Sequence, residues 1–266
     1  MRRHEFLRDL HQVSAPRNYL EIGVSDGRSL TLSEVPSIGI DPSLRVTTQL
    51  HRDVKLVRAT SDDFFARTDP IRHLRSERHV LRGLLRGRAP LAHDRDGTTL
   101  DLVFIDGMHL FEYALRDFMN VERFAAWTSV IVFDDMLPRD VDEAARDRHT
   151  KFWAGDVYKV IEVLRRYRPE LVILPVDTQP TGTLVVMGAD PANRVLQTAY
   201  DQIVRTWAVP DPQSLPDSIL SRSEAVAPER IVEAGLWPDL IRARADLTDR
   251  AAGYDRIRDQ LMSLVP

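Results

Sequence analysis

Seven short apolar runs recur along the first 190 residues, and each is a candidate β-strand. Most are apolar at successive positions rather than at alternate positions, which is typical of strands buried on both faces. We expect these strands at residues 18–22, 37–40, 54–58, 100–105, 129–133, 171–175 and 183–187. Because such strands occur mainly in parallel sheets covered by helices, the pattern predicts an α/β fold.

Apolar residues at helical spacing predict helices beside most of these strands. The expected helices are 2–12, 110–124, 157–167, 193–207 and 240–264. The connection at 176–182 is too short for a crossover helix, so the last two strands should pair antiparallel as a hairpin. The whole pattern predicts a doubly wound seven-stranded sheet, mostly parallel, with an antiparallel terminal hairpin and a helical C-terminal extension.

The chain divides by composition into two parts. Residues 1–190 hold all the predicted strands, together with an arginine-rich insertion at 70–99, and residues 191–266 form the helical extension. Two interpretations of the insertion stay open: a solvated helix that covers the sheet, or a recognition element for an anionic acceptor. The extension is expected to pack on the sheet domain or to form a homodimer.

Composition excludes several classes of protein. The 36 basic and 40 acidic residues give a net charge of −4, which argues against a globally basic nucleic-acid binder. Cysteine is absent, so disulfides, zinc–thiolate sites and cysteine nucleophiles are excluded. No window approaches the ~18–20 apolar residues that span a bilayer, and the N-terminus lacks the apolar region of a signal peptide. We therefore expect a cytoplasmic protein without nucleic-acid or membrane partners.

Acidic residues follow four successive predicted strands. They are Asp41 after the second strand, Asp62 and Asp63 after the third, Asp106 after the fourth, and Asp134 and Asp135 after the fifth. Ligands of open parallel sheets bind outside the carboxyl ends of the strands, and these residues all fall at that edge. The sequence therefore predicts a binding site there.

The first strand leads into a glycine loop with an unusual spacing. Gly23 and Gly27 are separated by three residues and preceded by Glu21, whereas a dinucleotide fold has G-x-G-x-x-G to approach a pyrophosphate. The observed spacing suits a ligand without phosphate. Asp41 is placed to accept hydrogen bonds from two ribose hydroxyls, so the loop points to an adenosine-type cofactor.

These segments resemble class I S-adenosylmethionine-dependent methyltransferases. The resemblance rests on Tyr19-Leu-Glu-Ile-Gly-Val-Ser-Asp-Gly27, on Ile40-Asp41 and on Asp101-Leu-Val-Phe-Ile-Asp-Gly-Met-His109, and it covers about residues 17–190. Asp117 and Phe133-Asp-Asp135 extend it to the metal-dependent O-methyltransferases of small molecules, which include enzymes acting on sugar hydroxyls of macrolides. The resemblance implies a Rossmann-like fold and S-adenosyl-L-methionine as cofactor.

The resemblance also implies roles for individual residues. Gly23 and Gly27 would lie against the methionine part of the cofactor, with Glu21 ordering the loop and Asp106 beside it, while Asp41 would hold the ribose and Ser61 and Asp62 would lie beside the adenine. Asp106, Asp134 and Asp135 would be ligands of Mg²⁺, and His109 would be the general base, so that His109 and Asp106 form the catalytic pair.

The chemistry of O-methylation agrees with these roles. The acceptor hydroxyl must lose its proton, which an imidazole of pKa ~6.5 accepts at neutral pH. A sugar hydroxyl is far more basic than imidazole, and a divalent cation would lower its pKa. Three alternatives stay open: a metal-independent methyltransferase, a catalytically silent binding protein with the cofactor fold, and a nicotinamide-dependent oxidoreductase.

Overall fold

The computed structural model describes residues 1–50, 53–74, 99–246 and 248–265, with only the backbone at residue 252. A seven-stranded sheet forms its centre, in the order β3-β2-β1-β4-β5-β7-β6. The strands are β1 (Tyr19–Ile22), β2 (Ser37–Ile40), β3 (Val54–Val57), β4 (Leu100–Ile105), β5 (Ala125–Phe133), β6 (Val172–Val176) and β7 (Thr183–Met187). The predicted α/β architecture is confirmed, with β5 extended by four residues at its start.

The direction in which successive strands are added to the sheet reverses between β1 and β4, although these two strands are parallel. From β1 the chain moves outward to β2 and β3, and it then returns to place β4 on the other side of β1. All pairs from β3 to β5 are parallel, whereas β7 is antiparallel to both β5 and β6. The terminal hairpin is therefore confirmed, and β1 and β4 form the switch point where such folds bind ligands.

Four of the five expected helices are present, the fifth is divided in two, and the described residues form four further short helices that were not predicted. The helices are α1 (Arg3–Ser14), α2 (Ser61–Arg67), α3 (Pro70–Leu74), α4 (Phe111–Glu122), α5 (Lys159–Tyr167), α6 (Val195–Trp207), α7 (Asp217–Ser221), α8 (Pro228–Val232), α9 (Trp237–Ala245) and α10 (Arg250–Met262). The single helix expected over 240–264 is wrong. Asp246 ends α9 with ψ near 0°, and the chain starts α10 afresh after Asp249.

Helices cover both faces of the sheet. In β1, Leu20 and Ile22 pack into the core beneath α2, α4, α5 and α6, while Tyr19 packs into the opposite core with α1, α9 and α10. The alternation of side chains along each strand thus supplies two separate apolar layers. This explains why the strands are apolar at successive positions.

The C-terminal extension packs on the sheet domain. Arg244 of α9 is buried and donates to the carbonyl oxygens of Ser14 at 2.9 Å and Thr128 at 3.1 Å. On α10, the Tyr254 hydroxyl accepts the Val172 amide at 3.1 Å and donates to the Glu170 carbonyl at 2.7 Å. These contacts tie both helices to the same face as α1. The domain division at residue 190 and the homodimer stay predictions.

Most of the arginine-rich insertion predicted at 70–99 lies outside the described residues, which stop at 74 and resume at 99. Its two interpretations therefore stay open. Within the described ranges, every helix is too short or too polar to span a bilayer.

Glu21 is a buried carboxyl at the centre of the sheet. Its side chain accepts hydrogen bonds from the Tyr19 hydroxyl at 2.7 Å and from the Ser29 hydroxyl at 2.6 Å. Burial raises the pKa of Glu21 to about 8, although the hydrogen bonds from Ser29 and Tyr19 oppose the rise. Because Ser29 follows the glycine loop, the hydrogen bond to Glu21 ties the end of that loop to β1.

This buried carboxyl predicts a pH-dependent stability. Because its pKa is higher in the folded than in the unfolded chain, Glu21 stabilises the fold fully at pH 4 and loses that contribution as pH rises towards 8. As the pH rises through this window, we expect the free energy of unfolding of Glu21→Gln to increase relative to that of the wild type. The increase should be about 1.4 kcal/mol for each unit by which the pKa of Glu21 in the folded chain exceeds its pKa in the unfolded chain. Urea unfolding at pH 5 and pH 8.5 measures the gain, and the exposed Glu34→Gln serves as control. A gain that is equal at both pH values would contradict the assignment.

Candidate functional site

A cavity of about 1010 Å³ lies at the carboxyl edge of the sheet, where the sequence predicted a site. Its walls come from the strand ends, from α1, and from the segments around residues 143–153 and 179–181. Of the sequence-predicted residues, those that line it are Gly23, Asp41, Ser61, Asp62, Asp106, His109 and Asp135. Glu21, Gly27 and Asp134 do not line it.

The glycine loop closes tightly over the neighbouring strand. Gly23 has φ +88°, and a Cβ at this position would lie 1.8 Å from the Asp106 carbonyl oxygen. The Gly23 amide donates to the Ile40 carbonyl oxygen at 2.9 Å, and the Asp106 amide donates to the Ile22 carbonyl oxygen at 2.8 Å. Only glycine fits this contact, which brings the end of β1 against the end of β4.

Asp41 holds the same loop from the other side. Its Oδ2 accepts the Ser25 amide at 2.8 Å, and its Oδ1 accepts the Ser43 amide at 2.6 Å. Each carboxylate oxygen has a further lone pair to offer a ligand. Ser25 has φ +49°, so the loop turns through a left-handed residue that Asp41 stabilises.

Ser61 and Asp62 begin α2 at the end of β3. Thr60 caps this helix, with its hydroxyl accepting the Asp63 amide at 3.1 Å. The Asp62 carboxylate is bound to α4, because Oδ2 accepts from Arg116 at 2.9 Å and Oδ1 accepts from Asn120 at 3.1 Å. Asp62 therefore lines the cavity with both oxygens already engaged.

His109 lies between two carboxylates. Its Nε2 is 3.3 Å from Asp106 Oδ1, and its Nδ1 is 3.2 Å from Asp135 Oδ2 and 2.8 Å from the Trp153 carbonyl oxygen. The imidazole also stacks on the Trp153 ring, with centroids 5.2 Å apart. One ligand atom from each of Asp106, His109 and Asp135 lies within 4.8 Å of the others, an arrangement able to hold a metal ion.

The carboxylates decide the charge of His109. Burial alone would lower the pKa of His109, but the hydrogen bond with Asp106 and the charges of Asp135 and Asp106 raise it to about 9. Burial in turn raises the pKa of Asp135, against the opposing charge of His109. Since the Trp153 carbonyl only accepts, Nδ1 carries a proton in either state and Nε2 is the atom that titrates.

Asp134 has a different partner from the one the sequence predicted. Its side chain is 1% exposed and pairs with the guanidinium of Arg3, which also lies 3.6 Å from Asp106. Arg3 belongs to α1, which the chain order places far from β5. The structure thus brings Asp106 and Asp135 together with His109 and turns Asp134 towards an arginine.

Several residues of the site have no signal in the sequence. Arg3 and Thr181 meet Asp134 and Asp135 only through the fold, the Thr181 hydroxyl donating to Asp135. Asp135 itself has φ +60°, a strained conformation for a residue other than glycine. The segment just after residues 139–151 carries Trp153 onto His109.

Gly155 explains how that segment approaches so closely. It has φ +65°, and a Cβ there would lie 1.7 Å from the His109 carbonyl oxygen. A glycine in this charged loop indicates a close backbone contact, but the sequence does not show that the contact is made with His109.

Comparison with known proteins found a family match and several solved structures with low identity. An SAH-bound methyltransferase of Podospora anserina is 12% identical over 70% of this chain and 78% of that chain, with a TM-score of 0.46. An O-methyltransferase of tomaymycin synthesis from Streptomyces achromogenes is 16% identical over 70% of this chain and 79% of that chain, with a TM-score of 0.43. No curated protein matched.

The family match bears on the resemblance found in the sequence. A family model described as a methyltransferase domain matches residues 20–136, which span β1 to the end of β5 and include the glycine loop, Asp41, Asp106 and His109. The methyltransferase resemblance and the seven-stranded fold predicted with it are confirmed. The matched segment of this chain is thus similar to a methyltransferase domain and includes the strand ends that form the cavity.

Proposed function

We propose that this protein transfers a methyl group from S-adenosyl-L-methionine to a hydroxyl of a small molecule. The observation that carries the proposal is the placement of His109, Asp106 and Asp135 in the same cavity as the glycine loop and Asp41. A proton acceptor and a cofactor loop thus share one space. The acceptor class that the sequence resemblance implies is a sugar hydroxyl of a secondary metabolite.

The cavity suits a cofactor of this kind. Gly23 leaves no side chain between the loop backbone and the end of β4, and Asp41 offers carboxylate lone pairs for two ribose hydroxyls. Ligand pockets usually enclose about 300–1,000 Å³. A cavity of about 1010 Å³ has room for the cofactor and for a small acceptor beside it.

His109 supplies the proton transfer in this proposal. Its Nδ1–H donates to the Trp153 carbonyl, which orients the ring, and Nε2 accepts the proton of the acceptor hydroxyl once His109 is neutral. Because the pKa of His109 is raised to about 9, turnover should increase as the pH rises towards 9. The stacked Trp153 ring fixes the plane of the imidazole. Asp106 and Asp135 stabilise the imidazolium that results.

A divalent cation is the second part of the proposal. Asp106, Asp135 and His109 would hold it, and it would lower the pKa of the acceptor hydroxyl. We propose Mg²⁺, as the carboxylates suggest, although an imidazole ligand also suits transition metals. In this version His109 would be a ligand of the cation, and the cation would supply the acidification of the hydroxyl.

A metal-independent reaction is the alternative that one observation favours. Arg3 already places a positive charge beside Asp134 and Asp106, and His109 places another between Asp106 and Asp135. Two cationic groups of the protein therefore already offset part of the negative charge of the three carboxylates. The same transfer then proceeds with His109 as the only proton acceptor.

Removal of the Asp41 carboxylate tests the cofactor site. We expect Asp41→Ala to weaken the binding of S-adenosylhomocysteine about tenfold to a hundredfold, because hydrogen bonds to charged groups contribute about 1.5–3 kcal/mol each. Titration calorimetry measures the affinity. Asp63→Asn, an acid that follows the same edge but does not line the cavity, is the matched control. Equal affinity for Asp41→Ala and wild type would remove Asp41 from the site.

Substitution of His109 tests the proton acceptor. We expect His109→Gln to lower turnover about 10²–10⁴-fold, the usual contribution of a positioned acid–base group, while the affinity for S-adenosylhomocysteine stays within threefold. The assay measures release of S-adenosylhomocysteine with the best acceptor from a panel of sugar and phenolic hydroxyls. His149→Gln, which is exposed, is the control. An unchanged rate in His109→Gln would refute this role.

Chelation separates the two versions of the mechanism. If the cation assists, EDTA should lower turnover at least tenfold, and Mg²⁺ should restore it. Mg²⁺ should also raise the melting temperature of the wild type but not that of Asp106→Asn, since ligand binding stabilises only the state that binds it. If neither EDTA nor Mg²⁺ changes the turnover rate or the melting temperature, the metal-independent version is correct.

A further inference from the structure

Two cations that line the cavity, Arg148 and Lys151, have no carboxylate partner among the residues that the structure describes. Both side chains are exposed and belong to the segment that follows β5. Their neighbour Arg139, by contrast, pairs with Glu143 at 2.7 Å. The proposed methyl transfer uses neither Arg148 nor Lys151, so the role of these two charges is open.

The guanidinium of Arg148 lies beside the ring that orients His109. Its Cζ is 5.8 Å from the centroid of the Trp153 ring, and that ring stacks on the imidazole with centroids 5.2 Å apart. The indole N–H donates to the Ala145 carbonyl oxygen at 2.6 Å, which fixes the ring between its neighbours. A cation is thus held within one indole ring of the proposed proton acceptor.

Most donors of Arg148 are unused. In the described ranges, its guanidinium makes one hydrogen bond, from Nη2 to the Lys151 carbonyl oxygen at 3.5 Å, which is long for such a bond. A guanidinium has five N–H donors in a planar fork that matches two oxygens of a carboxylate or a phosphate. Arg148 therefore has donors to offer an anion in the cavity that it lines.

Lys151 lies beside an exposed aromatic ring. Its Nζ is 5.7 Å from the centroid of Phe152, which lines the cavity although it is 63% exposed. Met108 also lines the cavity and is 51% exposed. Exposed apolar side chains in a groove are typical of ligand sites. This part of the cavity suits a molecule that has both carbon-rich surface and an anionic group.

The carboxylates of the cavity do not neutralise Arg148 or Lys151. They are Asp41, Asp62, Asp106, Asp117, Asp135 and Glu143. Within the described part of the chain, none of them forms an ion pair with either cation, and four bind another basic side chain instead. A ligand with an anionic group would supply the counter-charge that the cavity walls do not.

We propose that the methyl acceptor carries a carboxylate or phosphate group, which Arg148 and Lys151 bind while a separate hydroxyl of the same molecule faces His109. This inference rests on the proposed function and adds to it the charge of the acceptor and the residues that select it. The anionic group takes no part in the transfer, because Arg148 contacts His109 only through the Trp153 ring.

Pairs of acceptors that differ by one anionic group test the inference. Glucuronate and glucose 6-phosphate are each compared with glucose, and protocatechuate is compared with catechol, by the release of S-adenosylhomocysteine at saturating S-adenosylmethionine. We expect kcat/KM of at least one anionic member to exceed that of its neutral partner about fivefold, and high salt to reduce this ratio because exposed ion pairs are screened. The carboxylate and phosphate arms identify which anion is preferred.

Paired variants connect the preference to the two cations. Arg148→Gln combined with Lys151→Gln should bring the ratio within about twofold of one, mainly through a higher KM for the anionic member. Arg123→Gln combined with Arg166→Gln is the matched control and should keep the wild-type ratio. It removes two exposed guanidiniums that also lie over aromatic rings but do not line the cavity.

The outcomes separate this inference from the proposed function. The inference is overturned if no anionic member is methylated faster than its neutral partner, or if the variant lacking Arg148 and Lys151 keeps the full preference. Methylation of the neutral members alone would leave the proposed function intact. Failure of the wild type to bind S-adenosylhomocysteine in titration calorimetry would overturn the proposed function itself.

Discussion

The contact between Gly23 and the backbone of Asp106 is the constraint on which the site depends. A side chain at Gly23 would occupy the position of the Asp106 carbonyl oxygen, so β1 and β4 meet only because this residue is glycine. The meeting point lies where the chain reverses direction across the sheet. It sets the glycine loop and the cluster of Asp106, His109 and Asp135 on opposite sides of one short contact. Glu21, bound to Tyr19 and Ser29, holds the loop in place from beneath.

The acids at the strand ends have distinct environments, and this separates their roles. Asp41 accepts backbone amides of the glycine loop and of Ser43, whereas Asp62 accepts from side chains of α4. Asp134 is neutralised by Arg3, and Asp106 and Asp135 share His109 between them. An acidic side chain at the edge of the sheet is thus a candidate to bind a cofactor or a metal ion. The groups already bound to its oxygens determine which lone pairs are available for that. The exposure of those lone pairs is a tertiary property.

The sequence predicted the parts of the molecule that short-range patterns determine. Each strand was located to within a few residues because both faces of the sheet are covered, which makes the strands continuously apolar. The break between α9 and α10 was missed, because apolar and charged residues continue at helical spacing across Asp246. Arg3, Trp153 and Thr181 were missed for another reason. Their contacts join segments that are far apart in the chain, and no local pattern encodes such a pairing.

The placement of Arg3 shows why a carboxylate-rich edge need not be a metal site throughout. Two adjacent acids at the end of β5 would repel each other if both remained charged and faced the same ion-free space. The fold resolves this by pointing Asp134 at a guanidinium from α1 and Asp135 at an imidazole, with Thr181 donating to the second. Helix α1 is consequently part of the active-site wall as well as part of the apolar layer. Its apolar side packs with α9 and the sheet, so the C-terminal extension supports the helix that carries Arg3.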